Sequence, residues 1–272
     1  MTERTEAIQA HWTRAGVLGR IEAALAAAGH DPQCPPLAAL SAIDHLHTGG
    51  LATTKDQAAG ITLTAGMRVL DIGCGIGGPA RHLASTFGCR VDGIDLTPEF
   101  IAVGQELTER AGLTARVVLR DGDGLALDYP DQAFDVVWCQ NVTMHIADKD
   151  RFLAGVRRVL KPGGVFTSTE FSSGPGGEIV FPVQWAYDGR LSFLDSEAQM
   201  RERLVANGFE IVEMSNYSDV VRGRMRAAAS AAMPAMSNHL VYGDDTPERQ
   251  RGTLQNLDER RIIYWMIVAE RA

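Results

Sequence analysis

The stretch VLDIGCGIGG, Val69 to Gly78, sets four glycines and one aspartate at the end of an apolar run. Gly73, Gly75 and Gly78 satisfy G-x-G-x-x-G, the spacing of a strand-to-helix turn whose backbone N–H groups approach a nucleotide closely. Gly77 adds a further glycine, giving D-x-G-x-G-x-G. Asp71 stands two residues before the first of them, where the strand ends.

Working outward, MRVLDIG, CRVDGIDL, ARVVLRDG, FDVVWCQ and GGVFTSTEF read as short strands of apolar and β-branched residues. Between them PARHLASTFG, PEFIAVGQELTERAG and DKDRFLAGVRRVLKPGG read as helices. This alternation predicts an α/β fold, a doubly wound parallel sheet whose ligand lies beyond the carboxyl ends of the strands. Nearer the end, MRERLVANGFEIVEMSNYS predicts helix then strand, and RRIIYWMIVAERA a last strand. The forty or so residues between those two strands are too many for a hairpin and predict a helical lid. Upstream, Thr5 to Ala28 reads as helical, interrupted by Gly16 and Gly19, with a second helix after the turn at Gly49 and Gly50. The chain divides into a helical lid at 1–60, a core at 61–218 and 259–272, and an inserted lid at 219–258.

The 272 residues are 45% hydrophobic, enough for one large domain with lid elements. Thirty-four acidic residues against 26 Lys and Arg give a net charge of -8, which argues against nucleic acid as a partner. MTERTEAIQAHW lacks an apolar leader core, and IIYWMIVA is too short to cross a bilayer, so the expectation is a soluble cytoplasmic protein without a membrane partner. Cys34, Cys74, Cys89 and Cys139 form no C-x-x-C pair and read as small buried residues, and no cluster predicts a metal site.

Asp71 decides between ligands. A diphosphate beside it suffers like-charge repulsion, whereas a ligand bearing an ammonium and a sulfonium is attracted. Asp95, 22 residues after Gly73, ends the second strand, followed by Leu96, and can accept both hydroxyls of an adenosine ribose. Asp123 can accept from an adenine amino group, with Gly124 and Leu125 alongside, or can satisfy its own turn.

Asp71 to Gly77, Asp95, Asp123, FDVV at 134–137 and LKPGG at 160–164 resemble the ordered motifs of class I S-adenosylmethionine-dependent methyltransferases, over about 65–214. The resemblance implies a seven-stranded sheet with an antiparallel last strand, and S-adenosylmethionine as cofactor. HLHTGG, WCQNVTMHIADKDRF and FPVQW further resemble the small-molecule branch containing sarcosine and dimethylglycine methyltransferases, although Asn141 follows Gln140 where that branch often carries an acidic residue.

The expected function is methyl transfer to an amine or hydroxyl of a small soluble metabolite. The alternatives are an NAD-dependent oxidoreductase and a non-catalytic cofactor-binding subunit. Gln140 joins Asp71, Gly73, Gly75, Gly77, Asp95, Leu96, Asp123 and Gly124 as cofactor residues. His145, just past the fourth strand, is the expected base, against a packed structural histidine. Asn141, His47, Trp185 and Tyr187 are expected to touch the acceptor, the aromatic pair through their faces. Arg222, Arg224 and Arg226 form either a carboxylate clamp or a solvated face.

Overall fold

The structure, a computed structural model, describes residues 3–230 and 234–272. Its sheet holds β1 (Arg68–Ile72), β2 (Arg90–Asp95), β3 (Val117–Asp121), β4 (Phe134–Gln140), β5 (Leu160–Ser173), β6 (Phe209–Asn216) and β7 (Ile262–Arg271). Their order is β3-β2-β1-β4-β5-β7-β6. Neighbours run parallel except β7, which is antiparallel to both β5 and β6. The seven-stranded, mostly parallel, doubly wound sheet is therefore present. Strand order reverses between β1 and β4, and their carboxyl ends open a crevice there.

The helices are α1 (Glu3–Trp12), α2 (Val17–Ala27), α3 (Leu37–Leu40), α4 (Gly50–Ala59), α5 (Gly78–Phe87), α6 (Pro98–Arg110), α7 (Lys149–Val159), α8 (Glu197–Ala206), α9 (Ser218–Ser230), α10 (His239–Tyr242) and α11 (Thr246–Asp258). Period-two burial along the strands divides the core. Val69, Val136 and Trp138 pack on one face with Leu83 of α5 and Ile101 of α6. Leu70, Ile72 and Val137 pack on the other with Phe152 and Val156 of α7 and Leu204 of α8. Each such fully buried aliphatic side chain contributes roughly 1.5–3 kcal/mol, so both helical layers are held to the sheet by apolar burial. Local residues set the helix starts: the Asp148 carboxylate accepts from Arg151 N–H at 3.1 Å before α7, and Ser196 with Gln199 forms a capping box before α8.

Several expectations are corrected. The expected interruption at Gly16 is present, its φ of 73° separating α1 from α2, whereas Gly19 lies inside α2 and does not break it. α7 stops at Val159, because Leu160 already pairs with Phe134 in the sheet and Pro162 has no N–H to extend a helix. α4, expected in a lid, packs on the sheet, where buried Gln57 donates to Thr167 Oγ1 at 3.2 Å. From the insertion, α9 and α11 pack on β7 through Val221, Leu257 and Tyr264. Cys34 is exposed, the other three cysteines buried. Residues 1–2 of the N-terminal segment and 231–233 of the insertion lie outside the described residues. No helix among the described residues is long and apolar enough to cross a membrane.

Candidate active site

A cavity of about 490 Å³ occupies the crevice, within the range of roughly 300–1,000 Å³ usual for small-molecule sites. Its floor is built from strand tips. Asp71, at the end of β1, is 2% exposed, and its Oδ2 has no hydrogen-bond partner. Burial, reinforced by the Asp95 charge, pushes its carboxyl up to about 8. Gly73, Gly75 and Gly77 all take positive φ, and a Cβ on Gly73 would lie 2.2 Å from Val142 Cγ2, so the chain there must be bare. Asp95 accepts from Gly75 N–H at 2.9 Å through one oxygen and from Thr97 N–H at 2.8 Å through the other. Burial nonetheless raises its carboxyl above the ordinary range. Leu96 and Gly124 line the floor, as does Asp123, which accepts from Leu125 N–H at 2.8 Å in its own turn. Gln140, at the end of β4, is buried with Nε2 unpartnered.

Beyond β4 the chain turns sharply at Asn141, whose φ of 56° an asparagine tolerates better than most residues. Its amide is held on both sides: Nδ2 donates to Thr48 at 3.0 Å, and Oδ1 accepts from Tyr264 at 2.7 Å. Behind the turn, buried Glu170 accepts from the N–H groups of Val142 and Thr143 at 3.3 and 3.1 Å. His47 meets Thr54 Oγ1 at 2.8 Å through Nε2 and lines the wall. Burial keeps its imidazole neutral, lowered to about 3. Trp185 is fully buried, stacked on Phe171 at 4.7 Å, and lines the cavity. Tyr187 does not: it is half exposed, with its hydroxyl bonded to Asp245 on the outer side of the insertion. The three arginines of α9 do not reach the cavity, since Arg222 and Arg226 pair with Asp258 and Arg224 with Asp56.

His145 faces the cavity with both of its ring nitrogens engaged. Its Nε2 accepts from Trp12 Nε1 at 3.3 Å, which places the ring proton on Nδ1, donating to the Leu191 carbonyl at 3.1 Å. Burial and nearby His11 lower its pKa to about 4. It holds a roof helix in place.

The lid segments at 1–60 and 219–258 were expected, but the residues that form the roof were not read from the sequence. α1 contributes Ile8 and Trp12, the loop before α4 contributes Leu46, the turn after β4 contributes Met144, and α10 contributes Tyr242. Gln9 of α1 donates to the Leu96 carbonyl at 2.6 Å, tying the roof to the floor. Trp12 sits in ERTEAIQAHW, a helix without a clear apolar face, so no pattern marked which way it would point.

This is the fold of the class I methyltransferases, with the glycine turn and both strand-tip carboxylates at one crevice. Residues 70–168 match the methyltransferase-domain family. A glycine/sarcosine/dimethylglycine N-methyltransferase of Actinopolyspora halophila is 33% identical over 187 residues, covering 67% of this chain and 33% of that protein. The chain thus spans about a third of that relative's length. Among solved structures, the [4+2]-cyclase SpnF is 26% identical at a TM-score of 0.66, covering 81% of this chain and 80% of its own. Geranyl diphosphate C-methyltransferase from Streptomyces coelicolor A3(2) superposes over 100% of this chain and 99% of its own at a TM-score of 0.75 with 17% identity, a likeness of fold.

Proposed function

We propose that the cavity binds S-adenosylmethionine and that the chain transfers its methyl group to a small-molecule acceptor. The observation that carries this reading is Asp71 Oδ2, a buried carboxylate oxygen without a partner beside a glycine turn that admits no side chain. A ligand cation satisfies that oxygen, whereas a pyrophosphate would aggravate it.

The residues present fit the cofactor. Asp95 retains lone pairs for ribose hydroxyls after accepting its two backbone N–H groups, and Leu96, Asp123 and Gly124 flank the place for the adenine. Gln140 Nε2 offers a donor from β4. When bound, the cofactor supplies an activated methyl carbon for direct displacement. The chain supplies alignment and dryness: α1, the 44–48 loop and α10 close over the crevice as the lid, and Asn141, His47 and Trp185 shape the wall. Alignment alone gives effective molarities on the order of 10⁵–10⁸ M. With both nitrogens of His145 engaged, an amine delivered neutral suits the site better than a hydroxyl that must lose a proton first.

Isothermal titration with S-adenosylhomocysteine and with NAD tests the reading. Binding of the former alone is expected, and binding of NAD alone overturns it. A second reading, a binding protein that transfers no methyl, draws on the cyclase that shares the fold. Methylation of any member of an acceptor panel removes that second reading.

A further inference from the structure

Two turns meet in the wall of the cavity, the glycine turn after β1 and the turn after β4. Their contact is Val142 on Gly73, so close that a Cβ on the glycine would lie 2.2 Å from Val142 Cγ2. Asn141, Val142, Met144 and His145 line the cavity, whereas Thr143 lines a smaller second cavity behind β4 and β5. β5 runs on past the last pair of β4, Gln140 with Thr169, which puts Glu170 level with the turn. The Asn141 N–H donates to the Thr169 carbonyl at 2.8 Å, and the next two N–H groups go to the Glu170 carboxylate.

Glu170 is 1% exposed and shares the small cavity with Phe152, Phe171 and Ile267. Its Oε1 accepts from Val142 N–H at 3.3 Å, from Ser168 Oγ at 3.0 Å and from Cys139 Sγ at 3.5 Å, and its Oε2 accepts from Thr143 N–H at 3.1 Å. Lys149, also buried there, holds the far end of the segment by donating to the carbonyls of Ile146, at 2.8 Å, and Phe193. The Phe193 N–H donates in turn to the Met144 carbonyl at 2.8 Å. Residues 142–146 are thus gripped through their backbone from the side away from the ligand. An apolar residue of similar volume would cost less to bury than a carboxylate, so stability gives no account of Glu170; its two bonds to the turn do.

We propose that Glu170 is a positioning residue of the methyl-transfer site: by holding the turn after β4 from behind, it sets the seating of Val142 on Gly73 and with it the shape of the cofactor seat. This rests on the cofactor reading above and adds to it a residue outside the cavity lining. A glutamine in its place keeps one accepting oxygen, which belongs where three donors converge, and sets its NH₂ donor against donor at the Thr143 N–H. The freed N–H loosens a turn already bent at Asn141, and Val142 shifts against the glycine turn.

The test compares the full chain as wild type, Glu170→Gln, Ser168→Ala and Val142→Ala, by calorimetric titration with S-adenosylhomocysteine well below every melting temperature and by amide hydrogen exchange. Glu170→Gln is expected to bind S-adenosylhomocysteine about tenfold more weakly, the cost of one buried donor left unpaired, and to exchange the Thr143 amide at least about tenfold faster. Ser168→Ala removes a donor to the same carboxylate but leaves both bonds to the turn; its melting temperature is expected to fall while its affinity stays within about twofold of wild type. Val142→Ala keeps Glu170 and deletes the contact with Gly73, so it is expected to lose affinity with the Thr143 amide still protected, and it carries the test if Glu170→Gln does not fold. Wild-type affinity in Glu170→Gln or in Val142→Ala, an unchanged Thr143 amide in Glu170→Gln, or an equal loss of affinity in Ser168→Ala overturns the proposal while the cofactor reading stands. Failure of wild type to bind S-adenosylhomocysteine overturns the cofactor reading and the proposal with it.

Discussion

The floor and the roof of the cavity are built by opposite means. Asp71, Gly73, Asp95 and Gln140 lie at or just beyond the ends of adjacent parallel strands, so the sheet's register alone brings them together. Trp12, Leu46, Met144 and Tyr242 come from four segments spread over some 230 residues and meet only through tertiary packing. A strand-end position is a local property of the chain, and a roof position is not. Under the proposed function, chemistry common to many acceptors belongs on the floor, and choice among acceptors on the roof.

The first way to break the comparison is acid. His11, His45, His47 and His145 all belong to the roof and its supporting loop, and burial lowers them to about 4, 3, 3 and 4. Their unfolded pKa is higher, so the unfolded chain binds the extra protons, and stability present above pH 6.5 is lost as pH falls toward 4. Between pH 7.5 and 5.5 each costs about 1 kcal/mol, several kcal/mol together, measurable by urea denaturation at the two pH values. An unchanged midpoint would mean that these rings are not buried neutral.

Next in size, Asp95→Ala should weaken S-adenosylhomocysteine binding about 100-fold, since it removes a charged acceptor for two hydroxyls. The same variant should leave the KM of any acceptor found in the panel, at saturating S-adenosylmethionine, within a few-fold of wild type. Loss of both would show that floor and roof are one unit.

Asp71 gives a smaller effect with a defined sign. Its carboxyl, raised to about 8 by burial and the Asp95 charge, must ionise to face a cation. Affinity for S-adenosylhomocysteine should therefore climb as pH rises from 6 toward 8, by about tenfold per unit at most, with proton release visible as a buffer-dependent binding enthalpy. Asp71→Asn should flatten that climb.

The smallest effect is expected at His145. His145→Ala should raise the acceptor KM about threefold through a looser Trp12 while leaving cofactor affinity alone, and kcat/KM in wild type should show no ionisation near pH 6.5. A bell-shaped profile with a limb there would restore the histidine as a base.

The same contrast explains what could be read beforehand. The apolar runs ending at Asp71, Asp95 and Gln140 specify strands, and their carboxyl ends follow from the βα alternation, so the sheet and the floor were both readable. LKPGG misled because Gly163 also serves a turn inside β5, where its φ of 68° bends the chain after Pro162. The Gly49–Gly50 turn correctly announced α4, but nothing in GLATTKDQAA said that Gln57 would be buried against the sheet. Tyr187 was chosen for being aromatic near Trp185, and two residues of separation were enough to put it on the other side of the segment. Tyr242 lay in a polar stretch with no periodicity, and its burial depends on Arg249 and Trp12, which no local pattern links to it.

The bond from Gln9 to the Leu96 carbonyl has a kinetic consequence. α1 lines both ends of the cavity, so under the proposed function a lift of this helix would open the cofactor and acceptor ends together.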